Sequence, residues 1–250
     1  MKWVIDVPSD KLKKLADDSE ILGKIKALQV DISSFADGNE IATENIAYAG
    51  VPILCATSLL PDHIVRSLEN VDSFFLNLLQ EHVQKQILWL KTFGCSYVTV
   101  SPVTAVSKEI EKQSRTVLNF WEYLSSELAD SVIKLCFNYT YPLLPGMNYL
   151  DFSDNDSLIF FGYLDLFMNN LNETHSISEI LKECPFNISA IRINYTETEG
   201  IYPNEKFLLD LKEELDKRQF KGPVIFHPLY EKYQSVREEW LWLSNFFNNL

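Results

Sequence analysis

The stretch FLLDLKEELDKRQFKGPVIFHP, residues 207–228, decides the fold. Its first half has apolar residues at helical spacing, which predicts an amphipathic helix with an inner face of Phe207, Leu208, Leu211 and Leu215. The Lys-Gly-Pro triplet at 221–223 interrupts this pattern. The apolar run Val224–Phe226 then predicts a buried strand that ends at His227. A helix, a break and a buried strand form one step of a repeating β/α chain.

The same alternation extends along the chain. Short apolar or β-branched runs predict eight strands: Lys2–Val7, Ala27–Ser33, Val51–Thr57, Ser96–Ser101, Val132–Asn138, Leu158–Asp165, Ile188–Asn194 and Pro223–His227. Alternating strands and helices imply a parallel sheet with right-handed crossovers. Eight strands in 250 residues favour closure into one (β/α)8 barrel domain over residues 1–250.

Amphipathic patterns predict helices between most strands, and a last one after them: Ser9–Leu22, Val71–Thr92, Ser107–Leu128, Ile177–Lys182 and Tyr233–Asn249. Ser9 is the expected N-cap of the first helix. Gly94 is expected to adopt the left-handed backbone conformation that often follows the end of a helix, here the second. The last helix carries an aromatic face that packs on the barrel or, alternatively, forms a homodimer interface. The irregular segment Tyr139–Asp156 is expected to lie on the face where βα loops meet.

Composition excludes several classes of function. The formal net charge of −13 disfavours nucleic acid and anionic membranes as partners. No glycine-rich nucleotide fingerprint occurs. Four scattered cysteines, without CxxC spacing, are interpreted as reduced structural residues: Cys55, Cys95, Cys136 and Cys184. The first residues lack the apolar core of a signal peptide, which leads us to expect a cytoplasmic protein.

Three segments resemble steps of a known barrel superfamily: HVQKQILWLKTFGCSYVTVSP (82–102), LIFFGYLDLFM (158–168) and ISAIRINYTETEG (188–200). Together with the element order, they make nearly the whole chain similar to the xylose-isomerase-like TIM barrels. These include sugar isomerases, sugar epimerases and AP endonucleases. The resemblance implies a small carbohydrate ligand at the carboxyl-terminal face of the barrel.

The metal ligands of that superfamily are mostly replaced. The resemblance implies a Glu after the fifth strand, Asp-x-x-His after the sixth, His-x-x-Asp at the seventh and Glu at the eighth. The matching residues here are Asn138, Asp165, Met168, Arg192, Tyr195 and His227. Only Asp165 keeps the superfamily residue, and a guanidinium has no lone pair for a metal. We therefore expect no tight metal site, while a weak divalent site (Mn, Mg or Zn) using Asp31, Asp165 and His227 stays open.

Strand ends on one face of a barrel supply the candidate site. Asp165 and His227 are the predicted acid–base residues, since imidazole titrates near neutral pH. The predicted ligand-binding residues are Arg192, Asn138, Asn194, Ser101, Asp31 and Tyr139, with Thr57 also at a strand end. Two roles are predicted for Arg192. In the first it forms a buried ion pair with Asp165, and in the second it binds a carboxylate or phosphate of the ligand.

Three functional hypotheses follow. The first is a divergent isomerase or epimerase of a sugar or sugar acid, acting without the superfamily's metal. The second is a non-catalytic carbohydrate-binding or interaction protein. The third, an AP endonuclease, conflicts with the missing zinc ligands and the acidic composition.

Overall fold

Eight parallel strands close into a barrel in sequence order, with β1 hydrogen-bonded to β8, in the computed structural model. The strands are β1 (Lys2–Val7), β2 (Leu28–Asp31), β3 (Ile53–Thr57), β4 (Tyr97–Val100), β5 (Lys134–Tyr141), β6 (Phe161–Phe167), β7 (Ile188–Tyr195) and β8 (Pro223–Pro228). The structure describes residues 2–33, 39–60, 62–68, 72–100, 115–129, 131–141, 161–167, 177–183, 187–195, 205–229 and 232–248. The predicted eight-stranded barrel is thus confirmed.

Helices connect the strands on the outside of the barrel. They are α1 (Leu12–Ala16), α2 (Ser19–Leu22), α3 (Asn39–Tyr48), α4 (Asp62–Ser67), α5 (Ser73–Thr92), α6 (Arg115–Ala129), α7 (Ile177–Glu183), α8 (Glu205–Lys217) and α9 (Tyr233–Asn248). The stretch at 207–228 folds as expected, since it contributes most of α8 and all of β8. The first eight residues of the predicted helix Ser107–Leu128 lie outside the described residues.

The first predicted helix was wrong in its continuity and in its cap. Residues Ser9–Lys11 form a 3-10 turn, and α1 and α2 are separate short helices. Ser9 caps neither of them; Asp18 accepts a hydrogen bond from the Ile21 amide at 3.3 Å and caps α2 instead. An Asx side chain before a helix competes with continuation of the preceding one, which explains the break.

Two helices, α3 and α4, were not predicted from the sequence. The buried face of α3 is made of small or polar residues together with Ile46: Asn39, Ala42 and Thr43. An apolar periodicity is too weak there to signal a helix. The long helix α5 was predicted nearly correctly; Asp72 caps it through the Phe75 amide at 2.8 Å, and Gly94 adopts φ +70° after its end.

Alternation along the strands separates two apolar layers. The amino-terminal half of the barrel interior is filled by aliphatic, thiol and aromatic side chains, including Val4, Cys55, Cys136, Tyr163 and Ile225. A larger cluster fills the space between the strands and the helices. Helix α9 joins this outer layer, since Trp240 and Leu243 are fully buried and Phe247 stacks on Trp3 at 3.9 Å. The predicted packing of α9 on the barrel is therefore confirmed.

Three cysteines are free and buried: Cys55, Cys95 and Cys136. Burial raises the pKa of the Cys95 and Cys136 thiols to about 12, which keeps them protonated and unreactive. Cys184 lies outside the described residues. Within the described part of the chain, no helix combines the length and the apolar character needed to cross a membrane.

Candidate functional site

The carboxyl-terminal half of the barrel interior is polar. The inward positions of β1, β6, β7 and β8 hold four ionisable side chains: Asp6, Asp165, Arg192 and His227. Arg192 contacts Asp165 and Asp6, and Asp6 contacts His227. Parallel strands end together at this face, so residues far apart in sequence meet there. This group, together with Gln29, Tyr163, Asn138 and Asn194, is called the polar cluster below.

Arg192 and Asp165 form a bidentate ion pair across neighbouring strands. Arg192 Nε donates to Asp165 Oδ1 at 2.9 Å, and Nη2 donates to Oδ2 at 2.5 Å. Asn194 Nδ2 also donates to Asp165 Oδ1. The β6–β7 register pairs Asp165 directly with Arg192, which places the two side chains side by side. Both oxygens of Asp165 are consequently engaged.

Asp6 connects Arg192 to His227. Its Oδ2 lies 3.3 Å from Arg192 Nη1 and 2.8 Å from His227 Nδ1. Burial acts to raise the pKa of Asp6, but the neighbouring His227 and Arg192 outweigh burial and hold the pKa below its ordinary value of 3.8. The carboxyl group is therefore ionised at neutral pH although only 4% of the residue is exposed.

The contact between His227 and Asp6 is short but not directed along the Nδ1–H bond. Nδ1 makes no aligned hydrogen bond in the structure, despite its 2.8 Å distance to Asp6 Oδ2. A small rotation of the ring would align the Nδ1–H bond with this oxygen and form a hydrogen bond. Such a bond would leave Nε2 of the ring for a ligand. The imidazole keeps 18% of its surface exposed, as does the Arg192 side chain.

Tyr163 and Gln29 form the floor of the polar cluster. The Tyr163 hydroxyl donates to Gln29 Oε1 at 2.7 Å, and the Arg192 guanidinium lies 5.7 Å from the centre of the Tyr163 ring. Both residues are fully buried. Gln29 Nε2 has no aligned partner among the described residues, although it stands close enough to Asp6 to help lower the Asp6 pKa. The floor separates the polar cluster from the apolar lower half of the barrel.

Asn138 brings an unused acceptor to the polar cluster. Its side chain lies on β5 opposite Tyr163, and its Oδ1 is buried without a hydrogen-bond partner in the described structure. A buried acceptor of this kind destabilises a protein by about 1–3 kcal/mol. Such atoms in a native protein need an explanation, and a ligand hydroxyl group is one.

The remaining predicted residues divide into three groups. Asp31 ends β2 and accepts hydrogen bonds from the Ser33 amide at 2.9 Å and the Ser33 hydroxyl at 2.7 Å. Tyr139 is 8% exposed and belongs to the layer between strands and helices, so the structure does not bring it into the polar cluster. Ser101 and the segment 142–156 lie outside the described residues. Ligand contact by all predicted residues stays a prediction.

Asp6 was missed by sequence reasoning. Strand β1 was predicted with correct bounds, and alternation from the inward Val4 places Asp6 on the inner face next to the strand end. A carboxylate inside a predicted buried strand was the available signal. Gln29 and Tyr163 carried similar but weaker signals, because amides and phenols occur in cores more readily than carboxylates do.

The described residues around Asp165 do not fit a divalent metal. Both oxygens of Asp165 bind the guanidinium of Arg192, which would repel a cation. Asp31 accepts a hydrogen bond from the Ser33 hydroxyl. Within the described ranges, no group of three or more His, Cys, Asp or Glu side chains could hold a metal ion. The expectation that this chain works without a tightly bound metal stays a prediction, tested by metal content after chelator-free purification.

The lowered pKa of Asp6 predicts an acid-dependent loss of stability. A folded-state pKa below the unfolded value contributes stability above the unfolded pKa, and this contribution disappears as pH falls through the folded pKa. Asp6→Asn removes the contribution. We expect the difference in unfolding free energy between wild type and Asp6→Asn to be largest above about pH 4.5 and to shrink below 3.8. Urea unfolding at stepped pH measures it; a difference independent of pH would contradict the network around Asp6.

Comparison with solved structures finds similar folds over 98% of this chain. One is a 3-keto-D-glucoside 4-epimerase from E. coli, with 14% identity and a TM-score of 0.62, covering 98% of this chain and 99% of that chain. Another is a D-psicose 3-epimerase from Clostridium cellulolyticum H10, solved with D-tagatose, with 12% identity, a TM-score of 0.61 and coverage of 98% and 99%.

A third solved structure is the IolI protein with a bound zinc atom, with 16% identity, a TM-score of 0.62 and coverage of 98% of this chain and 95% of that chain. By sequence, neither a known protein family nor a curated protein matches this chain. At such identities the similarity establishes the fold, and the reaction has to be argued from the site.

Proposed function

We propose that this chain, which has the xylose-isomerase-like (β/α)8 barrel fold, binds a small carbohydrate at the polar cluster and acts on it as a sugar isomerase or epimerase without a divalent metal. The observation that carries the proposal is the buried, unpartnered Oδ1 of Asn138 beside four ionisable groups at the carboxyl ends of the strands. Sugar hydroxyl groups donate to such an acceptor and accept from the remaining N–H groups of Arg192.

The charge balance favours an uncharged carbohydrate over a sugar acid. Arg192 faces two carboxylates, Asp165 and Asp6, which together more than neutralise its charge. An anionic ligand would therefore meet a site with no surplus positive charge while His227 is neutral. A neutral sugar needs only hydrogen bonds, and each terminal nitrogen of Arg192 retains an N–H beyond those given to the two carboxylates.

His227 is the proposed acid–base group. A hydrogen bond from Nδ1 to Asp6, formed by the ring rotation described above, orients the ring, and the other nitrogen takes the proton from the carbon next to the sugar carbonyl. The bond electrons move into the carbonyl, and an Arg192 N–H stabilises the resulting enolate oxygen. Return of the proton to the opposite face of the same carbon gives an epimer. Delivery of the proton to the former carbonyl carbon, with transfer of the hydroxyl proton of the neighbouring carbon to the enolate oxygen, moves the carbonyl group to that neighbouring carbon and gives an isomer. Asp165 positions Arg192, because both its oxygens are already bonded.

A second candidate function is carbohydrate binding without turnover. Epimerisation takes a proton from one face of a planar intermediate and returns it to the other, which calls for two acid–base groups. Asp165 was the second predicted group, and its bonds to Arg192 and Asn194 engage both oxygens. This geometry argues against epimerisation and supports a barrel that retains the ligand site without that reaction, whereas isomerisation requires only one acid–base group because the proton returns to the same face.

Hydrogen–deuterium exchange separates these two candidates. Purified protein is incubated in D2O with a panel of neutral aldoses and ketoses, with and without chelator, and the sugars are examined by NMR. If the protein is an isomerase or epimerase, deuterium is incorporated next to the sugar carbonyl. This exchange should be lost in the His227→Gln variant and should be unchanged by chelator. Binding in calorimetry without exchange supports the second candidate. Absence of both binding and exchange across the panel would reject the site itself.

Asn138→Ala provides a sharper test of ligand contact. Removing an unpartnered buried acceptor should leave the unfolding free energy unchanged or raise it by up to about 1 kcal/mol. The same change should weaken sugar binding by about 3- to 10-fold, which calorimetry measures. Asn45→Ala on the exposed surface of α3 is the matched control and should alter neither quantity. A loss of stability without a loss of affinity in Asn138→Ala would show a structural role.

A further inference from the structure

A cavity of about 280 Å³ lies at the opposite end of the barrel from the polar cluster. It is bounded by the amino-terminal part of β1, the residues just before β2, the strand β8 and the helix α9. Its size is close to the lower limit of small-molecule sites in proteins, which start at roughly 300 Å³. None of the residues proposed to act on the carbohydrate lines it, so the cavity is independent of the proposed function.

One wall of the cavity is aromatic. Trp3 and Phe247 stack with ring centres 3.9 Å apart, and Phe226 lies 5.2 Å from Phe247 and 5.7 Å from Trp3. Trp3 and Phe247 are only partly buried, and both line the cavity. A wall of this kind favours a flat apolar group, because aromatic faces and edges pack well against another ring.

The polar groups around the cavity are positive or uncharged. Lys2 and Lys26 line it, and neither has an ion-pair partner in the described part of the chain, although the whole chain carries a net charge of −13. Lys2 also lies close enough to the barrel interior to lower the pKa of Cys55, against the larger effect of burial that raises it. Two uncompensated ammonium groups beside an apolar cavity attract an anion.

Ser244 adds an uncharged hydrogen-bond donor to the cavity. It is 9% exposed and lines the cavity beside the aromatic wall. A hydroxyl group donates one hydrogen bond and accepts others. A carboxylate held by the lysines could therefore also accept from this hydroxyl.

We propose that this cavity is a second binding site, specific for a small aromatic carboxylate. The ring of the ligand packs on Trp3, Phe226 and Phe247, and the carboxylate accepts from Lys2, Lys26 and the Ser244 hydroxyl. Active sites of (β/α)8 barrels lie at the carboxyl ends of the strands. The site is therefore a binding site away from the chemistry.

The test uses phenylacetate and its neutral analogue phenylacetamide as probes in isothermal titration calorimetry with the full chain. Phenylacetate is expected to bind with a Kd on the order of 1 mM, and phenylacetamide at least about ten-fold more weakly, since the amide has no charge and replaces one acceptor oxygen by an NH2 donor. The double variant Lys2→Gln/Lys26→Gln should lose this preference. Lys85→Gln/Lys206→Gln, on exposed faces of α5 and α8, is the matched control and should keep it.

Two further variants locate the ligand. Ser244→Phe should fill the cavity and abolish binding of both probes; Ser244→Ala, a smaller change, should weaken phenylacetate several-fold in a folded protein. His227→Gln should leave phenylacetate affinity unchanged, because that residue lies at the other end of the barrel. Equal affinity for the two probes, binding that survives Ser244→Phe, or a loss of affinity in His227→Gln would each overturn the proposal.

Discussion

Arg192→Ala is expected to lower the free energy of unfolding by roughly 3–5 kcal/mol. The substitution leaves Asp165 and Asp6 as buried carboxylates without their shared cation, and breaking a buried pair by removing one partner has an effect of this size. The carboxylate side chains are 5% and 6% exposed, so solvent compensates little. Urea unfolding at neutral pH, followed by circular dichroism, measures the loss.

A surface arginine serves as the matched control for this prediction. Arg218 forms an i,i+4 pair with Glu214 at 2.8 Å, but both side chains are partly exposed, so Arg218→Ala should change the unfolding free energy by no more than about 1 kcal/mol. A double-mutant cycle of Arg192→Ala with Asp165→Ala should give a coupling of about 1–3 kcal/mol. Equal effects of Arg192→Ala and Arg218→Ala would contradict the buried network.

Arg192→Ala also separates the two readings of this residue. If Arg192 serves only the ion-pair network, any folded fraction of the variant binds carbohydrate with unchanged affinity. If it also contacts the ligand, the affinity falls together with the stability. Measuring both quantities on the same preparation, under conditions where the variant is folded, distinguishes these outcomes.

Gly222→Ala is expected to destabilise the barrel by about 3 kcal/mol or more. A Cβ atom at this position would lie 1.9 Å from the carbonyl oxygen of Ser189 and 2.6 Å from Phe220 Cζ. The oxygen belongs to the backbone of β7, which is hydrogen-bonded to β6 and β8 and cannot move away without breaking the barrel. Overpacking against fixed atoms reaches the upper end of the usual 1–3 kcal/mol range, roughly, and sometimes exceeds it.

Gly23→Ala is the corresponding control. A Cβ atom there would meet its nearest neighbour, the Ser19 carbonyl oxygen, at an ordinary 3.5 Å, and the residue has a helical φ of −68°. We expect a change within about 1 kcal/mol, in the stabilising direction, because alanine restricts the unfolded chain more than glycine does. Similar midpoints of thermal unfolding for the two variants would show that β7 and β8 do not approach each other so closely at Gly222.

The glycine at 222 also explains why a short stretch of sequence was so informative. Lys-Gly-Pro ends the helix pattern in residues 207–228, and the same glycine permits the close approach of β8 to β7. The turn signal and the packing requirement coincide in one residue. Local signals of this kind allowed the eight strands to be placed, since each strand is buried and bounded by its own turn residues.

The boundaries and caps of the helices were predicted less well than the strands. The pattern over Ser9–Leu22 keeps its apolar spacing across Asp17 and Asp18, so nothing in the period revealed that Asp18 starts a new helix. In α3 the inner face is built from Asn39, Ala42 and Thr43 beside Ile46, and hydrophobicity alone could not show it. Burial of these positions follows from where the strands lie, which is a property of the whole barrel.

The sequence by itself determined the (β/α)8 barrel, because strand periodicity, helix periodicity and right-handed crossovers leave few other arrangements for this order of elements. It also placed an arginine, Arg192, near the carboxyl end of the seventh strand. Only the tertiary structure decided which side chains of the polar cluster contact each other. Closure of β1 onto β8 brings Asp6 against His227 and Arg192, residues more than 180 positions away in sequence, and contact across such a distance depends on strand register rather than on any local pattern.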